Sequence, residues 1–253
     1  MLINRELFPL SFSKKSRPSW QCPRCLKGHL KTSNDKFFLG QTAASRSEDP
    51  QYPYSEYVFT ALMTCSNQIC GESFIISGDC YINSDESYFD FEENKINEAE
   101  MKFKPHYFNP PLDLFLIPNR CPKNISNLIK TSFSLFWIDI ESCANKIRIV
   151  VEHLLTHLKI PRSELINKKR KKIILHLRIQ KLATVNNKLY TLLIAIKWLG
   201  NEGSHENSSL SRDDLFDAYD ILNYAMIEVF GDSQKAIEKV AKQIIKRKGP
   251  RKK

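Results

Sequence analysis

The order of apolar and polar positions changes character near the middle of the chain. In the first half, short runs of alternating apolar and polar residues predict two strands, Ser55 to Cys65 and Glu72 to Ile82, on either side of a turn. An acidic stretch follows, and then a proline-punctuated segment of extended character from Lys104 to Pro118. We interpret this half as a small β domain at residues 1–110, followed by a linker at residues 111–121.

Beyond Pro122 the apolar residues recur at helical spacing. This periodicity predicts helices over about Ile125 to Ile138, Glu141 to Leu158, Lys171 to Leu182, Asn187 to Leu199, and Ser211 to Gly231. Ser211 is expected to be the N-cap of the last helix and Gly231 its C-cap. The sequence therefore predicts an α+β protein, with an all-α bundle at residues 122–232 and a helical extension with a basic tail at residues 233–253.

Four cysteines occur as two close pairs, Cys22 with Cys25 and Cys65 with Cys70. Four thiolates can surround a zinc ion tetrahedrally, and a close pair on a tight turn supplies two of them. The second pair lies between the two predicted strands, where a zinc ribbon has a knuckle, although a long insertion separates the pairs. We expect structural Zn²⁺ in a zinc ribbon, because four cysteine ligands leave no open position. Buried or redox-active cysteines are the alternative.

The chain has 38 Lys and Arg against 28 Asp and Glu, a formal net charge of +10. Much of this excess lies in two blocks, Asn167 to Lys172 and Lys246 to Lys253. Such blocks favour polyanions, so we expect a nucleic acid as partner, with a solvated loop and tail as the alternative. No apolar run approaches the roughly 20 residues of a membrane helix, and the N-terminus does not resemble a signal peptide. A cytoplasmic protein without a membrane partner is expected.

A few polar residues stand out from the apolar stripes of the second half. They are Arg148 and Glu152 in "RIVVE", and Gly200, Asn201 and His205 in "GNEGSH". With these residues, the segment from about Pro122 to Gly231 resembles a widespread bacterial helical domain, domain-of-unknown-function family 4145. That family in turn resembles the HEPN superfamily of nucleotide- and RNA-acting bundles. The resemblance implies a small N-terminal zinc ribbon followed by an all-α HEPN-like helical bundle.

Many HEPN proteins are dimeric, metal-independent ribonucleases that use an arginine followed by a histidine. The resemblance implies that His205 is the acid or base, and that Asn201 orients it or contacts phosphate. No arginine lies between Arg178 and Arg212. The catalytic cation is therefore expected to be Lys197, or else Arg148 held in place by Glu152. Plain alternatives are a capping histidine and an ordinary intrahelical ion pair.

The resemblance thus implies a zinc-finger ribonuclease that acts on RNA as a homo-oligomer, a dimer or larger. Such a protein would be a toxin or antiphage defence effector, activated by assembly or by a phage protein trigger. A non-catalytic nucleic-acid- or protein-binding adaptor with a degenerate site is the alternative. Lys197, Asn201 and His205 share one helical face only if the helix continues through Gly200 and Gly203.

Overall fold

A computed structural model describes residues 2–46, 56–82, 88–90, 95–97, 101–202, 210–231 and 241–247. The chain divides into two compact units. The N-terminal unit is Asn4–Asp113, and the C-terminal unit is Leu114–Lys253 together with Met1–Ile3. Among the described helices, none is both long enough and apolar enough to cross a membrane.

The N-terminal unit is built on antiparallel strands. They are β1 (Leu30–Lys31), β2 (Phe37–Gln41), β3 (Glu56–Cys65), β4 (Ser73–Ile82), β5 (Tyr88–Asp90), β6 (Lys95–Asn97) and β7 (Met101–Asn109). In the main sheet of five strands, β1 and β2 both pair with β3, β3 pairs with β4, and β4 pairs with β7. β5 and β6 form a separate two-stranded sheet. Short 3-10 helices cover Arg5–Leu7, Asn34–Lys36 and Ala44–Arg46.

An aromatic cluster forms the core on one face of this sheet. Alternate residues of β3, beginning with Phe59, are buried, as the period-two pattern requires. The rings that pack together, with neighbouring centroids 4.9–6.2 Å apart, are Phe12, Trp20, Phe37, Phe59, Phe103 and Phe108. Trp20 is 2 % exposed, and its indole N–H donates to the Leu7 carbonyl at 2.7 Å. The sheet therefore has a hydrophobic core of its own.

The prediction of a small zinc ribbon is therefore wrong. β3 and β4 each have ten residues and β7 has nine, and they carry an aromatic core rather than only a metal centre. β7 also takes up the start of the segment that the sequence marked as extended and linker-like. Pro105 concealed this strand, because proline is rare inside sheets. It is accommodated at a β-bulge opposite Gly78, where any Cβ would collide with the Lys104 carbonyl oxygen.

The C-terminal unit consists of helices and one hairpin in its described part. The helices are α1 (Lys123–Leu135), α2 (Ile140–His157), α3 (Leu175–Gln180), α4 (Asn187–Glu202) and α5 (Arg212–Phe230), and the hairpin strands are β8 (Ser163–Ile166) and β9 (Lys169–Lys172). α2 packs against α1 and α4, and α4 packs against α5. Ser211 is the N-cap of α5, as expected, and forms a capping box with Asp214. Residues 241–247 are also helical.

The prediction of an all-α HEPN-like bundle is also wrong, because β8 and β9 interrupt the helices. The third helix begins at Leu175, and Lys171 belongs to β9 instead. Asn167 and Lys168 have φ values of +50° and +62°. Positive φ at both central residues is what a two-residue hairpin turn of type I′ requires. The broader class, an α+β protein with a β unit followed by a helical unit, is confirmed.

Arg178 joins α3 to the end of α2. Arg178 is only 4 % exposed, and burial lowers the pKa of its guanidinium. Nε donates to the Pro161 carbonyl at 3.2 Å and Nη1 to the Glu152 carbonyl at 3.2 Å. Nη2 donates to Thr156 Oγ1 at 3.0 Å and to the Ile160 carbonyl at 3.2 Å. One guanidinium thus satisfies backbone carbonyls in the last turns of α2 and in the chain that leads to β8.

We expect Arg178→Lys to lower the free energy of unfolding by about 2–4 kcal/mol, because an ammonium cannot reproduce four contacts of a planar fork and leaves partly buried carbonyls unpaired. Urea unfolding followed by far-ultraviolet circular dichroism measures the change. Arg170→Lys, the same substitution at an exposed position of β9, should change the free energy by less than about 0.5 kcal/mol. Equal effects of the two substitutions would contradict the role of Arg178.

Candidate metal centre and candidate active site

The first cysteine pair lies in a tight turn that begins after Trp20. The Cys22 N–H donates to the Gly28 carbonyl at 2.8 Å, and the Leu26 N–H donates to the Cys22 carbonyl at 2.9 Å. Leu26 takes the left-handed conformation, with φ of +56°, and the Gly28 N–H donates to Cys25 Sγ at 3.4 Å. This folded-back turn holds the Cys22 and Cys25 thiols on the same side.

The second pair lies in the turn between β3 and β4. Cys65 is the last residue of β3, and its Sγ accepts the Asn67 N–H at 3.4 Å. The Asn67 carbonyl accepts the N–H groups of Cys70 at 2.9 Å and of Gly71 at 3.0 Å. Gly71 has φ of +55°, a conformation that glycine adopts without strain. The turn therefore brings Cys70 back beside Cys65.

Hydrogen bonds and a close approach at Gly28 hold the two turns together. His29 and Ser66 exchange two hydrogen bonds, His29 N–H to Ser66 Oγ at 2.9 Å and Ser66 N–H to the His29 carbonyl at 2.8 Å. A Cβ on Gly28 would lie 2.5 Å from Cys65 Sγ and 2.7 Å from the Asn67 nitrogen. Gly28 is therefore the residue that lets the first turn approach the second.

The four thiols converge on one point. The Sγ atoms of Cys22, Cys25, Cys65 and Cys70 all lie within 4.8 Å of one another. The separations are 3.9 Å for Cys22 with Cys70 and 3.6 Å for Cys25 with Cys65, far longer than the about 2.05 Å of a disulfide. The cluster is compatible with a bound metal ion. His29, exposed at the surface, is not part of it.

The thiols of the cluster differ in acidity. Hydrogen bonds from the N–H groups of Gly28 and Lys27 lower the pKa of Cys25 to about 6. Burial raises the pKa of Cys65 to about 12. One thiol is therefore stabilised as a thiolate while a neighbour is held protonated. A bound cation would remove this difference, because ligating thiols lose their protons.

The remaining cysteines lie outside the cluster. Burial raises the pKa of Cys80 and of Cys121 to about 11 and that of Cys143 to about 12. Cys143 Sγ lies 3.1 Å from the hydroxyl of the buried Tyr219. Thiols with raised pKa values carry little thiolate at neutral pH and are unreactive, as core residues are expected to be.

In the helical unit, α4 lies in close contact with α2 at Gly200. A Cβ on Gly200 would lie 3.0 Å from the Arg148 Cβ and 3.3 Å from the Ala144 carbonyl oxygen. Gly200 continues the buried stripe of α4, whose other members are Leu189, Leu193 and Ile196. The aliphatic part of Arg148 therefore packs directly on the α4 backbone.

The Arg148 guanidinium is only loosely paired. Its side chain is 33 % exposed, and Nη2 lies 3.9 Å from Glu152 Oε1, at the long end of an ion pair. Arg148 Nε is buried and has no hydrogen-bond partner among the described residues. Packing on Gly200 thus fixes the aliphatic part of Arg148, while its guanidinium retains N–H donors that could bind an oxyanion.

The other predicted catalytic residues lie on α4 or just beyond it. α4 continues through Gly200 to Glu202, so Lys197 and Asn201 stand one turn apart on the same side. The Lys197 ammonium lies 3.6 Å from the centroid of the Trp198 ring, and Trp198 is 60 % exposed. His205 lies outside the described residues. The structure therefore brings Arg148 against α4 at Gly200, next to Asn201 in sequence, while the position of His205 stays a prediction.

We expect Gly28→Ala to destabilise the N-terminal unit by about 1–3 kcal/mol, because the new methyl group must displace the Cys65 turn. Hydrogen–deuterium exchange of the β3 and β4 amides measures this unit separately. Gly40→Ala is the matched control, since its Cβ would meet only Val58 Cγ2, at 3.6 Å. Unchanged exchange rates in the Gly28→Ala protein would show that the turns do not need their close approach.

Comparison with known families gives two matches. Residues 10–108 match the family described as domain of unknown function DUF8608. Residues 130–248 match the family described as domain of unknown function DUF4145. No curated protein and no solved structure matches the chain. The C-terminal match is the domain predicted from the sequence, whereas the N-terminal match was not anticipated. Each of the two units thus contains a match to a different family of unknown function.

Proposed function

We propose that this protein cleaves RNA without a catalytic metal ion, at a site formed by Arg148, Asn201 and His205. The observation that carries the proposal is the packing of Gly200 against the aliphatic part of Arg148, which holds this side chain of α2 against α4 while its guanidinium stays loosely paired. The α4 helix then leads through Asn201 to the segment that contains His205. The proposal thus takes a cation from α2, an amide from the end of α4 and an imidazole from the segment that follows α4.

These groups suit the cleavage of a phosphodiester bond. The 2′-hydroxyl of RNA attacks phosphorus, the bond to the 5′ oxygen breaks, and the products carry a 2′,3′-cyclic phosphate and a 5′-hydroxyl. His205 accepts the proton of the 2′-hydroxyl, and His205 of a second copy gives a proton to the leaving 5′ oxygen. The reaction then requires a homo-oligomer, in which each copy contributes part of the site.

Arg148 is the better candidate for the phosphate-binding cation. Its guanidinium can donate two parallel hydrogen bonds to the phosphate oxygens, which a lysine cannot. The Lys197 ammonium is already engaged with the Trp198 ring. Glu152 acts as a positioning residue, since its carboxylate lies one turn from Arg148 and limits where the guanidinium can swing. Asn201 is assigned to orienting His205 or contacting phosphate.

The four-cysteine cluster holds a structural zinc ion. A tetrahedral zinc with Zn–S bonds of about 2.3 Å places neighbouring sulfur atoms about 3.8 Å apart. The 3.9 Å and 3.6 Å separations support this assignment. Four thiolates leave no position for water or substrate, so the zinc ion stabilises the N-terminal unit and takes no part in cleavage.

The assembled protein is expected to cleave single-stranded RNA in buffer without added divalent cations and to leave cyclic-phosphate ends. His205→Ala should lower the rate by roughly 10²–10⁴-fold through loss of proton transfer, and Arg148→Lys by roughly 10²-fold through loss of the fork. Gel analysis of end-labelled RNA measures both.

His157→Ala is the control: it removes an exposed histidine of α2 and should leave the cleavage rate unchanged. Cleavage that survives His205→Ala would refute the proposal, and RNA that is bound but left intact would favour the adaptor.

Purified protein is expected to contain one zinc ion per chain, measured by elemental analysis against protein concentration. Cys25→Ser should reduce the bound zinc strongly, because one of four thiolates is lost. Cys121→Ala serves as the control, since Cys121 lies in the other unit and outside the cluster. Retention of a full zinc ion by the Cys25→Ser protein would contradict the assignment.

A further inference from the structure

The hairpin of β8 and β9 buries almost none of its own surface. Every residue from Glu164 to Lys172 is exposed, and Leu165 is 73 % exposed. A two-stranded hairpin without a packed face is marginally stable in water. Its base is held by the ion pair of Glu164 with Lys181, the C-cap of α3, at 3.6 Å. A ribbon of this kind contributes nothing to the core, so its role must lie at the surface.

The ribbon carries five consecutive cations, from Lys168 to Lys172. Residues that face each other across an antiparallel pair lie on the same side of the ribbon. Arg170 lies opposite Leu165, so Arg170 and Lys172 are on one face. Lys169 lies opposite Ile166, so Lys169 and Lys171 are on the other face. The strand alternation therefore places two cations on each face and leaves Lys168 at the tip.

These charges are not neutralised within the described parts of the chain. Glu164 is the acidic residue of the hairpin, and its carboxylate pairs with Lys181 at the end of α3. No described acidic side chain forms an ion pair with any residue from Lys168 to Lys172. A compact, uncompensated block of five cations favours a polyanion as its ligand.

We propose that this ribbon inserts into a groove of double-stranded nucleic acid and contacts the phosphodiester backbones on both sides. An anionic membrane or a flat acidic protein surface would meet only one face of the ribbon. A groove has a backbone on each wall, so it uses the cations of both faces. The major groove of B-form DNA, about 12 Å wide and 8.5 Å deep, admits a two-stranded ribbon. The four residue pairs of β8 and β9 span roughly 10 Å, which matches that depth.

This inference does not depend on the proposed RNA cleavage. Duplex binding by the ribbon concerns residues 163–172, which are distinct from the proposed catalytic residues. The walls of a groove have the same phosphate chemistry in DNA and in RNA, but A-form RNA offers a wide groove only on its shallow minor-groove side. A DNA duplex and an RNA duplex are therefore separate arms of the test.

The experiment measures binding of fluorescent duplexes by anisotropy over a series of salt concentrations, with the full chain carrying His205→Ala so that cleavage does not interfere. One variant is Arg170→Gln with Lys172→Gln, and the other is Lys169→Gln with Lys171→Gln. Each should weaken duplex binding roughly tenfold or more and reduce the salt dependence by about two phosphate contacts. Lys123→Gln with Lys130→Gln, two exposed lysines of α1, is the control of equal charge and should have little effect.

Comparable losses of affinity in both ribbon variants, for DNA, RNA or both, would support insertion into a groove. The duplex that the wild-type protein binds more tightly would identify which groove. Three results would overturn the inference. They are a loss from only one face, unchanged binding in both variants, and a wild-type protein that binds anionic vesicles but no duplex. Circular dichroism of each variant verifies folding. If the wild-type protein cleaves RNA but binds no duplex, this inference is wrong and the proposed function stands. If it binds duplexes but cleaves no RNA, the proposed function is wrong and this inference stands.

Discussion

Direct contact between backbones, made possible by glycine, is the constraint on which both units depend. Gly28 lets one cysteine turn touch the other, Gly78 accepts Pro105 in the neighbouring strand, and Gly200 lets α4 rest on the stem of Arg148. A glycine inside a helix or strand costs about 0.5–1 kcal/mol relative to alanine. At each of these positions a Cβ would meet an atom at 3.0 Å or less. The four-cysteine cluster and the placement of Arg148 thus follow from the same steric requirement.

The elements that could be predicted from the sequence are those whose pattern is local. β3, β4 and the long helices each bury a stripe of their own, so period-two and helical spacing revealed them within a few residues. β7 could not be found in this way, because Pro105 interrupts its pattern and only pairing with β4 compensates. The β8–β9 hairpin has no buried stripe, and so "KRKK" resembled a helix start or a loop. The five-stranded sheet depends on pairing between distant strands, which local patterns do not specify.

The same distinction applies to the candidate sites. Cysteine spacing was enough to predict the cluster of Cys22, Cys25, Cys65 and Cys70, because the four residues lie in two tight turns. The parts played by Gly28 and Asn67 were missed, although a glycine three residues after Cys25 is a usable signal. That Arg148 lies against Gly200 required knowledge of how α2 crosses α4. Spacing along a single helix cannot give such a crossing.

The hydrogen bonds of Arg178 connect parts of the chain that belong to two different proposed sites. The peptide carbonyls that it binds belong to Glu152, close to the proposed phosphate-binding cation, and to Ile160 and Pro161, at the root of the basic ribbon. The carboxylate of that same Glu152 lies beside Arg148. One buried guanidinium therefore binds both the root of the ribbon and the turn of α2 that contains Glu152. Arg178 is thus a shared anchor for the proposed phosphate-binding region and for the proposed duplex-binding ribbon, so a substitution at Arg178 is expected to disturb both.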